Sequence, residues 1–415
     1  MKWIGFISLI TASVEILMSK YSKNKNNLNV LIIGLDRDVI RDTENPTFLR
    51  HKAYADEVSS LSFIVYTPKD PKGENHSAII DGSFSIFPTN SKSKLTYFFD
   101  TLKIGKGIIR EKGIDIVVTQ DPLATGLCGY LLKRKFGIVW VCNVHGDYID
   151  NPHWLRESLK NRLLNILGKF LIKRADGLRV VSRLIQCKLS SKKYGLNPNA
   201  VIHATPSVEL DKYPEAKYNK DQLKERLGFA DKKVILFVGR IEREKEIPLL
   251  LEAVRALKDE IPLVHLIVAG RGSLLDEMKG ISGRLKLDDH VTFTGYLPME
   301  KLIDYYRLAD LFVLVSYYEG TAKVLKEAAM AELPLISTSV SGSDEIVIDG
   351  KSGFLIPIGG GDILCEKLKL LLTDDEMAER MGRAAKKHVI DTFDFKKNVK
   401  DIVGSWEKIY NLNEK

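Results

Sequence analysis

An α/β architecture of two doubly wound, Rossmann-like domains with parallel sheets is what this sequence predicts, and three observations carry it. Short continuous apolar runs recur along the chain with helix-like stretches between them, the mark of strands buried on both faces and joined by crossover helices. The series pauses at a polar stretch near 211–231 and then restarts. The 415 residues also suffice for two to three domains of about 150 residues each.

The first domain is expected over 29–210. "NVLIIG" (29–34) opens it, and "LSFIVYT" (61–67), "DIVVTQ" (115–120), "IVWVCNV" (138–144) and "GLRVVS" (177–182) repeat the theme. After a linker at 211–231 the second domain, 232–390, runs through "KVILFVG" (233–239), "HLIVAG" (265–270), "VTFTG" (291–295), "LFVLVS" (311–316) and "PLISTS" (334–339). The segment 391–415 ends the chain, and "FDFKKNVKDIVGSWEKIYNL" (393–412) reads as a terminal helix. Ligands of such a fold bind at the carboxyl ends of the strands, in the cleft between domains.

Composition excludes several classes. With 45% hydrophobic and 28% charged residues, the chain can bury cores and is neither disordered nor of low complexity. Cys128, Cys142, Cys187 and Cys365 fit no zinc template and no redox pair, so a reducing, cytoplasmic setting is expected. Residues 1–214 carry 31 basic against 20 acidic side chains, and the remainder 31 against 34. The basic half predicts an anionic partner.

Two segments fit a lipid surface. Residues 1–28 form an extension whose run from Trp3 to Met18 is mostly apolar, followed by Lys20, Lys23 and Lys25. It is too short to cross a bilayer and has a poorly formed cleavage site, so a shallow membrane-associated helix is expected; a helix packed on the domain is the alternative. The stretch 154–174 holds Arg156, Lys160, Arg162, Lys169, Lys173 and Arg174 against the single anion Glu157. Leu155, Leu159, Leu163, Ile166, Phe170 and Lys173 approximate one helical stripe of it, apolar until its end. A basic amphipathic helix of this kind reads as binding an anionic membrane surface, and equally as a domain helix with a solvated basic face. No motif or aromatic interleaving points to nucleic acid.

The chemistry concentrates in the second half. "FVGRIEREKE" (237–246) places Gly239 and Arg240 directly after a strand and Lys245 five positions later. "SYYEGTAKVLKEAAMAELPLI" (316–336) places Glu319 after another strand and Glu327 eight positions on, in a helix expected over about 322–331. Arginine binds phosphate oxygens bidentately, lysine acts as a point charge, and a helix start offers unpaired N–H groups to an anion. A charged loop and a surface helix would explain the same residues without any site. "GRGSLL" (270–275) has two of the glycines of a phosphate loop and is weak evidence alone. "GLDRDVI" (34–40) lacks a dinucleotide fingerprint, and its Asp36 and Asp38 are only a lookalike of a metal-binding D-x-D.

Taken together, the G-R…K, E-x7-E and D-E-I-V patterns resemble the retaining nucleotide-sugar glycosyltransferases of family four, group one, which have the GT-B fold. The resemblance is strongest over about 230–360 and weaker from Asn29 onward, through "NVHGD" (143–147), "RVVS" (179–182) and "PSVELDKY" (206–213). It implies a terminal helix crossing back onto the first domain. It further implies a nucleoside diphosphate sugar donor in the second domain and a saccharide or lipid-linked acceptor in the first. Transfer would need neither metal nor cofactor. Arg240 and Lys245 would neutralise the leaving diphosphate, Glu319 would face the transferred sugar and Glu327 the ribose. Gly239, Gly295, Tyr296, Gly320, Thr321, Ala322, Lys323 and Val324 would complete the donor site, and His145 would stand near the transferred sugar or the acceptor phosphate. A sugar-nucleotide-binding protein without turnover, or a sugar-nucleotide epimerase, would share the fold. The sequence departs from the family at Glu332, where glycine usually ends the helix. A glutamate adopts a positive φ at a cost, which predicts a different turn before Pro334.

Overall fold

A computed structural model describes residues 26–40, 43–69, 78–93, 95–207 and 218–414. Of the expected extension over 1–28, only 26–28 lie among them, and these already belong to the first strand. Residues 211–217 of the expected linker, and 208–213 of "PSVELDKY", lie outside the described residues.

Two parallel sheets organise the chain. The first contains β1 (Asn26–Gly34), β2 (Val58–Val65), β3 (Ile79–Asp81), β4 (Phe84–Pro88), β5 (Ile116–Thr119), β6 (Val139–Val144), β7 (Gly177–Val180) and β8 (Val201–His203). Its order is β3-β4-β2-β1-β5-β6-β7-β8, and β3 runs antiparallel to β4. The second contains β9 (Lys233–Val238), β10 (Val264–Ala269), β11 (Val291–Gly295), β12 (Leu311–Leu314), β13 (Leu335–Thr338) and β14 (Gly353–Ile356), in the order β11-β10-β9-β12-β13-β14. Each of the ten apolar runs assigned to the two domains forms a strand; the run from Trp3 to Met18 lies outside the described residues. The short strands β3, β4, β8 and β14 were not foreseen, because three to five residues beside turn glycines carry little periodicity.

The chain divides into two compact units. One comprises the described residues up to Asn143, Leu171–Arg179, and those from Val399 onward; the other comprises Val144–Phe170 and Val180–Asn398. In the first, Val30, Ile33, Phe63, Val117 and Trp140 are buried on the sheet. From the terminal helix Phe395–Asn413, Trp406 and Ile409 join that core. Gly177 admits Ile409 because a Cβ there would lie 2.6 Å from its side chain. In the second unit, Phe237, Leu266 and Phe312 pack against Leu250 and Val254 of the helix Ile247–Leu257 and Leu325 of the helix Lys323–Met330.

The basic stretch at 154–174 is not one helix. It divides into Pro152–Glu157 and Leu159–Ile172, with Ser158 extended at φ −161°, ψ 156° between them. Ser158 Oγ accepts from the Asn161 N–H at 3.1 Å, so it caps the second helix and cannot continue the first. Leu155 is thereby removed from the stripe that begins at Leu159.

Candidate functional site

The loop leaving β9 is built by close backbone packing. The Gly239 N–H donates to Ala269 O at 3.0 Å, the Ile241 N–H to Arg271 O at 2.9 Å and the Leu274 N–H to Ile241 O at 3.1 Å. The loops after β9 and β10 therefore lie against each other. A Cβ on Gly270 would meet Gly239 O at 1.8 Å, and one on Gly272 would meet Ile241 O at 2.0 Å. The two glycines of "GRGSLL" are thus required by this contact, which accounts for them without any phosphate.

The same loop is zipped to the loop leaving β12. The Tyr317 N–H donates to Glu244 O at 2.9 Å, the Glu246 N–H to Val315 O at 3.3 Å, and Lys245 bridges Ser316. This places Lys245, whose side chain is only 10% exposed, in an ion pair with Glu319 and 3.3 Å from Ser316 Oγ. Ser316 Oγ donates to the same Glu319 oxygen at 2.8 Å. Arg240 instead reaches outward, 75% exposed and paired with Glu244.

The acidic neighbours are not a solvated fringe. Glu242 accepts from the Ser273 hydroxyl at 2.6 Å and N–H at 2.8 Å, which holds its carboxyl below the ordinary value. Glu244 is buried under Arg240. Glu246 is buried at the head of the helix Ile247–Leu257, and burial raises its carboxyl above the ordinary value.

Glu319–Ala322 is held from both sides. A Cβ on Gly320 would stand 1.7 Å from His145 O, and one on Gly342 would stand 2.4 Å from Gly320 O. The Asp147 N–H donates to Glu319 O at 3.1 Å. Thr321 Oγ1 donates to Val181 O at 3.3 Å. His145 thus meets this loop through its backbone, and its residue is exposed. The loop delivers the chain into the helix Lys323–Met330, whose N-cap Ala322 supplies no side-chain cap. The Leu325 N–H closes on Ala322 O at 3.0 Å, which leaves the N–H groups of Lys323 and Val324 to face an acceptor from elsewhere. One turn further in, buried Glu327 accepts from the Tyr306 hydroxyl at 3.0 Å and pairs with Lys323 at 3.3 Å. It is not the surface residue that its helix position alone would suggest.

The helix ends differently from the expectation. Glu332 adopts φ 59°. Its N–H donates to Ala329 O at 2.9 Å, and the Leu333 N–H donates to Ala328 O at 3.2 Å. This is the Schellman pattern that glycine ordinarily serves, so the turn before Pro334 is kept and the glutamate bears its strain.

A cavity of about 270 Å³ opens beside Arg240. Gly239, Gly270, Arg271, Tyr296 and Leu302 line it, and the Arg271 guanidinium sits 5.1 Å from the Tyr296 ring centroid. Gly295, at φ 70°, turns the chain into Tyr296 and accepts from the Gly270 N–H at 2.9 Å. Val324 packs against the core. Asp36 does not join this group, since it pairs with Arg50 at 3.1 Å. Among the described residues no cluster of three His, Cys, Asp or Glu side chains could hold a metal ion.

Sequence reasoning missed Tyr306, Arg271 and Lys326. Lys326 is 1% exposed, donates to Pro206 O at 2.6 Å and lies 3.9 Å from the Phe393 ring centroid. Burial, opposed by Glu345, pushes its ammonium down to about 7. Nothing in a pattern of alternating helix faces distinguishes an inward lysine from a solvated one.

Residues 219–388 match the family described as glycosyl transferases group 1, and residues 61–211 match glycosyltransferase family 4. The chain belongs to the group 1, family 4 glycosyltransferases. This glycosyltransferase is 25% identical to the alpha-D-kanosaminyltransferase of Streptomyces kanamyceticus over 74% of its own length and 79% of that protein. It is 25% identical, over 70% and 76% of the two chains, to a GDP-mannose-dependent alpha-(1-6)-phosphatidylinositol monomannoside mannosyltransferase of Mycolicibacterium smegmatis. A sucrose-phosphate synthase from Thermosynechococcus elongatus superposes with a TM-score of 0.75 at 18% identity, covering 93% of this chain and all of that one. The fold of the glycosyltransferase is GT-B.

Proposed function

We propose that this glycosyltransferase moves a sugar, with retention at the anomeric carbon, from a nucleoside diphosphate sugar to a saccharide or lipid-linked acceptor, without a divalent cation. The observation that carries the reading is the joint of Lys245 and Glu319. Backbone pairing of their two loops sets a largely buried cation against the carboxylate of the loop that leads into a helix with no side-chain cap. A diphosphate arriving there meets the Lys245 ammonium, the Arg240 guanidinium and the N–H groups of Lys323 and Val324, and competes with Glu319 for Lys245.

The other groups fall into roles around that anchor. Glu327, oriented by Tyr306, accepts from the ribose hydroxyls. The cavity beside Gly239 and Tyr296 receives the base, with Gly295 setting the angle of the ring. Glu319 and the backbone of Gly320, Thr321 and Ala322 address the transferred sugar, and His145 stands at its edge. The anomeric carbon to phosphate oxygen bond breaks and an acceptor oxygen bonds from the same face. The acceptor proton passes to the departing phosphate, so no protein nucleophile is required. The relatives' names support a nucleotide-sugar donor. Four free thiols support work on the cytoplasmic side.

Thermal shift against UDP, GDP and ADP sugars identifies the donor, because binding raises stability by mass action. With that donor, Glu327→Ala raises KM about 10–100-fold, the loss of charge-assisted hydrogen bonds. The reading is overturned if no donor shifts the melting point, or if the donor that does shows an unchanged KM in the variant.

A further inference from the structure

We propose that the outward face of the helix Leu159–Ile172 docks the protein onto the surface of an anionic lipid bilayer. The sequence left two accounts of this helix open, and a domain helix with a solvated polar face should bury its apolar residues. The structure buries Leu171 and Ile172 but leaves a row of the others in water. Leu159, Leu163 and Ile166 are 74%, 69% and 64% exposed. Their i, i+4, i+7 spacing puts them on one stripe of the helix. The buried side is a different one, formed by Asn165, Gly168, Leu171 and Ile172. The fold therefore already has its packing face, and the exposed aliphatic stripe is additional to it. A row of neighbouring large aliphatic side chains in water marks an interaction surface rather than ordinary scatter.

Charge identifies the occupant. Lys160 and Arg162 are exposed, and on a helical projection they flank the stripe on opposite sides; exposed Lys173 follows the end of the helix. Arg156 adds an exposed cation from the separate short helix before Ser158. The nearby anion, Glu157, is half-buried and occupied, accepting from the Tyr318 hydroxyl at 2.8 Å and the Asn161 amide at 3.0 Å. An apolar centre with a cationic rim and no exposed acid suits a helix lying in the plane of an anionic headgroup layer. It suits a second copy of this basic chain poorly, because two such rims would face each other. Among the described residues no helix is long and apolar enough to cross a membrane. The inference adds a partner to the transferase reading and does not depend on it.

The test is flotation of the full chain with phosphatidylcholine vesicles, with and without about 30 mol % phosphatidylglycerol. The wild type should float with the anionic vesicles and be released progressively by salt. Leu163→Gln with Ile166→Gln should lower the partition coefficient about ten-fold or more, and Lys160→Glu with Arg162→Glu should abolish the preference for phosphatidylglycerol. Ile166→Trp reads the site directly, since brominated lipids should quench the added emission. All variants should keep the donor-induced thermal shift, so failure here leaves the transferase reading standing. The proposal is overturned if the wild type stays with the pellet. It is equally overturned if both double variants float like the wild type, or if light scattering shows a dimer that Leu163→Gln with Ile166→Gln dissolves while vesicles bind nothing.

Discussion

Glu332 shows how a single side chain can oppose the local rule and still keep the structure. A residue with a Cβ in the left-handed region costs about 1–2 kcal/mol, and the helix end here accepts that cost to satisfy the carbonyls of Ala328 and Ala329. The position is enforced from outside as well, because a Cβ on Gly382 would lie 1.8 Å from Glu332 O. The exposed ion pair of Glu332 with Lys386 at 2.8 Å contributes little. Glu332→Gly should therefore be at least as stable as the wild type in urea, with a gain of about 0.5–1 kcal/mol after the added chain entropy. Glu332→Val should lose about 1–2 kcal/mol, because a β-branched residue tolerates this conformation worst. A glycine variant weaker than the valine one would refute the account. The sequence marked the right position but gave the wrong outcome, since tertiary packing against Gly382 is invisible in a local motif.

At the scale of elements, the helix Lys323–Met330 carries two consecutive charged residues that are both buried, Lys326 and Glu327. Glu327 was legible because of its spacing from Glu319. Lys326 was not, since its partners Pro206, Phe393 and Glu345 come from three distant segments. Its folded-state value near 7 lies below the ordinary lysine value of 10.5. Between those limits the unfolded chain holds the proton that the folded chain has released, so wild-type stability rises with pH across that window and the penalty is full below it. Lys326→Met lacks this titration. The stability difference between the Met variant and the wild type should fall by more than about 1 kcal/mol between roughly pH 7 and 10. A difference that stays flat with pH would show that the ammonium is not held down by burial. Only the difference is diagnostic, because Pro206 O loses its donor in the variant at every pH.

The whole molecule follows most directly from its pattern of apolar runs. Ten of the fourteen strands among the described residues are legible as such runs, because strands buried on both faces need unbroken hydrophobicity. The four short ones were hidden, and so was the break at Ser158, where a cap divides what periodicity joined. The terminal helix was legible as an element, and its residues from Val399 onward belong to the first unit. That attachment makes the last residues structural. Trp406→Ala should cost about 3–5 kcal/mol in equilibrium denaturation. Trp406→Phe should cost far less, because the indole N–H has no hydrogen-bond partner among the described residues. Similar losses in both variants would point to the N–H rather than to packing.

What the whole architecture delivers is one fixed joint, in which the loops leaving β9 and β12 set Lys245 against Glu319. The most direct test of the central claim is calorimetric titration of the matching nucleoside diphosphate into the wild type and into Lys245→Ala, both in excess chelator. The account predicts tight binding to the wild type without metal and a loss of about ten-fold or more in the variant. Equal affinities, or wild-type binding that appears only when a divalent cation is restored, would contradict it.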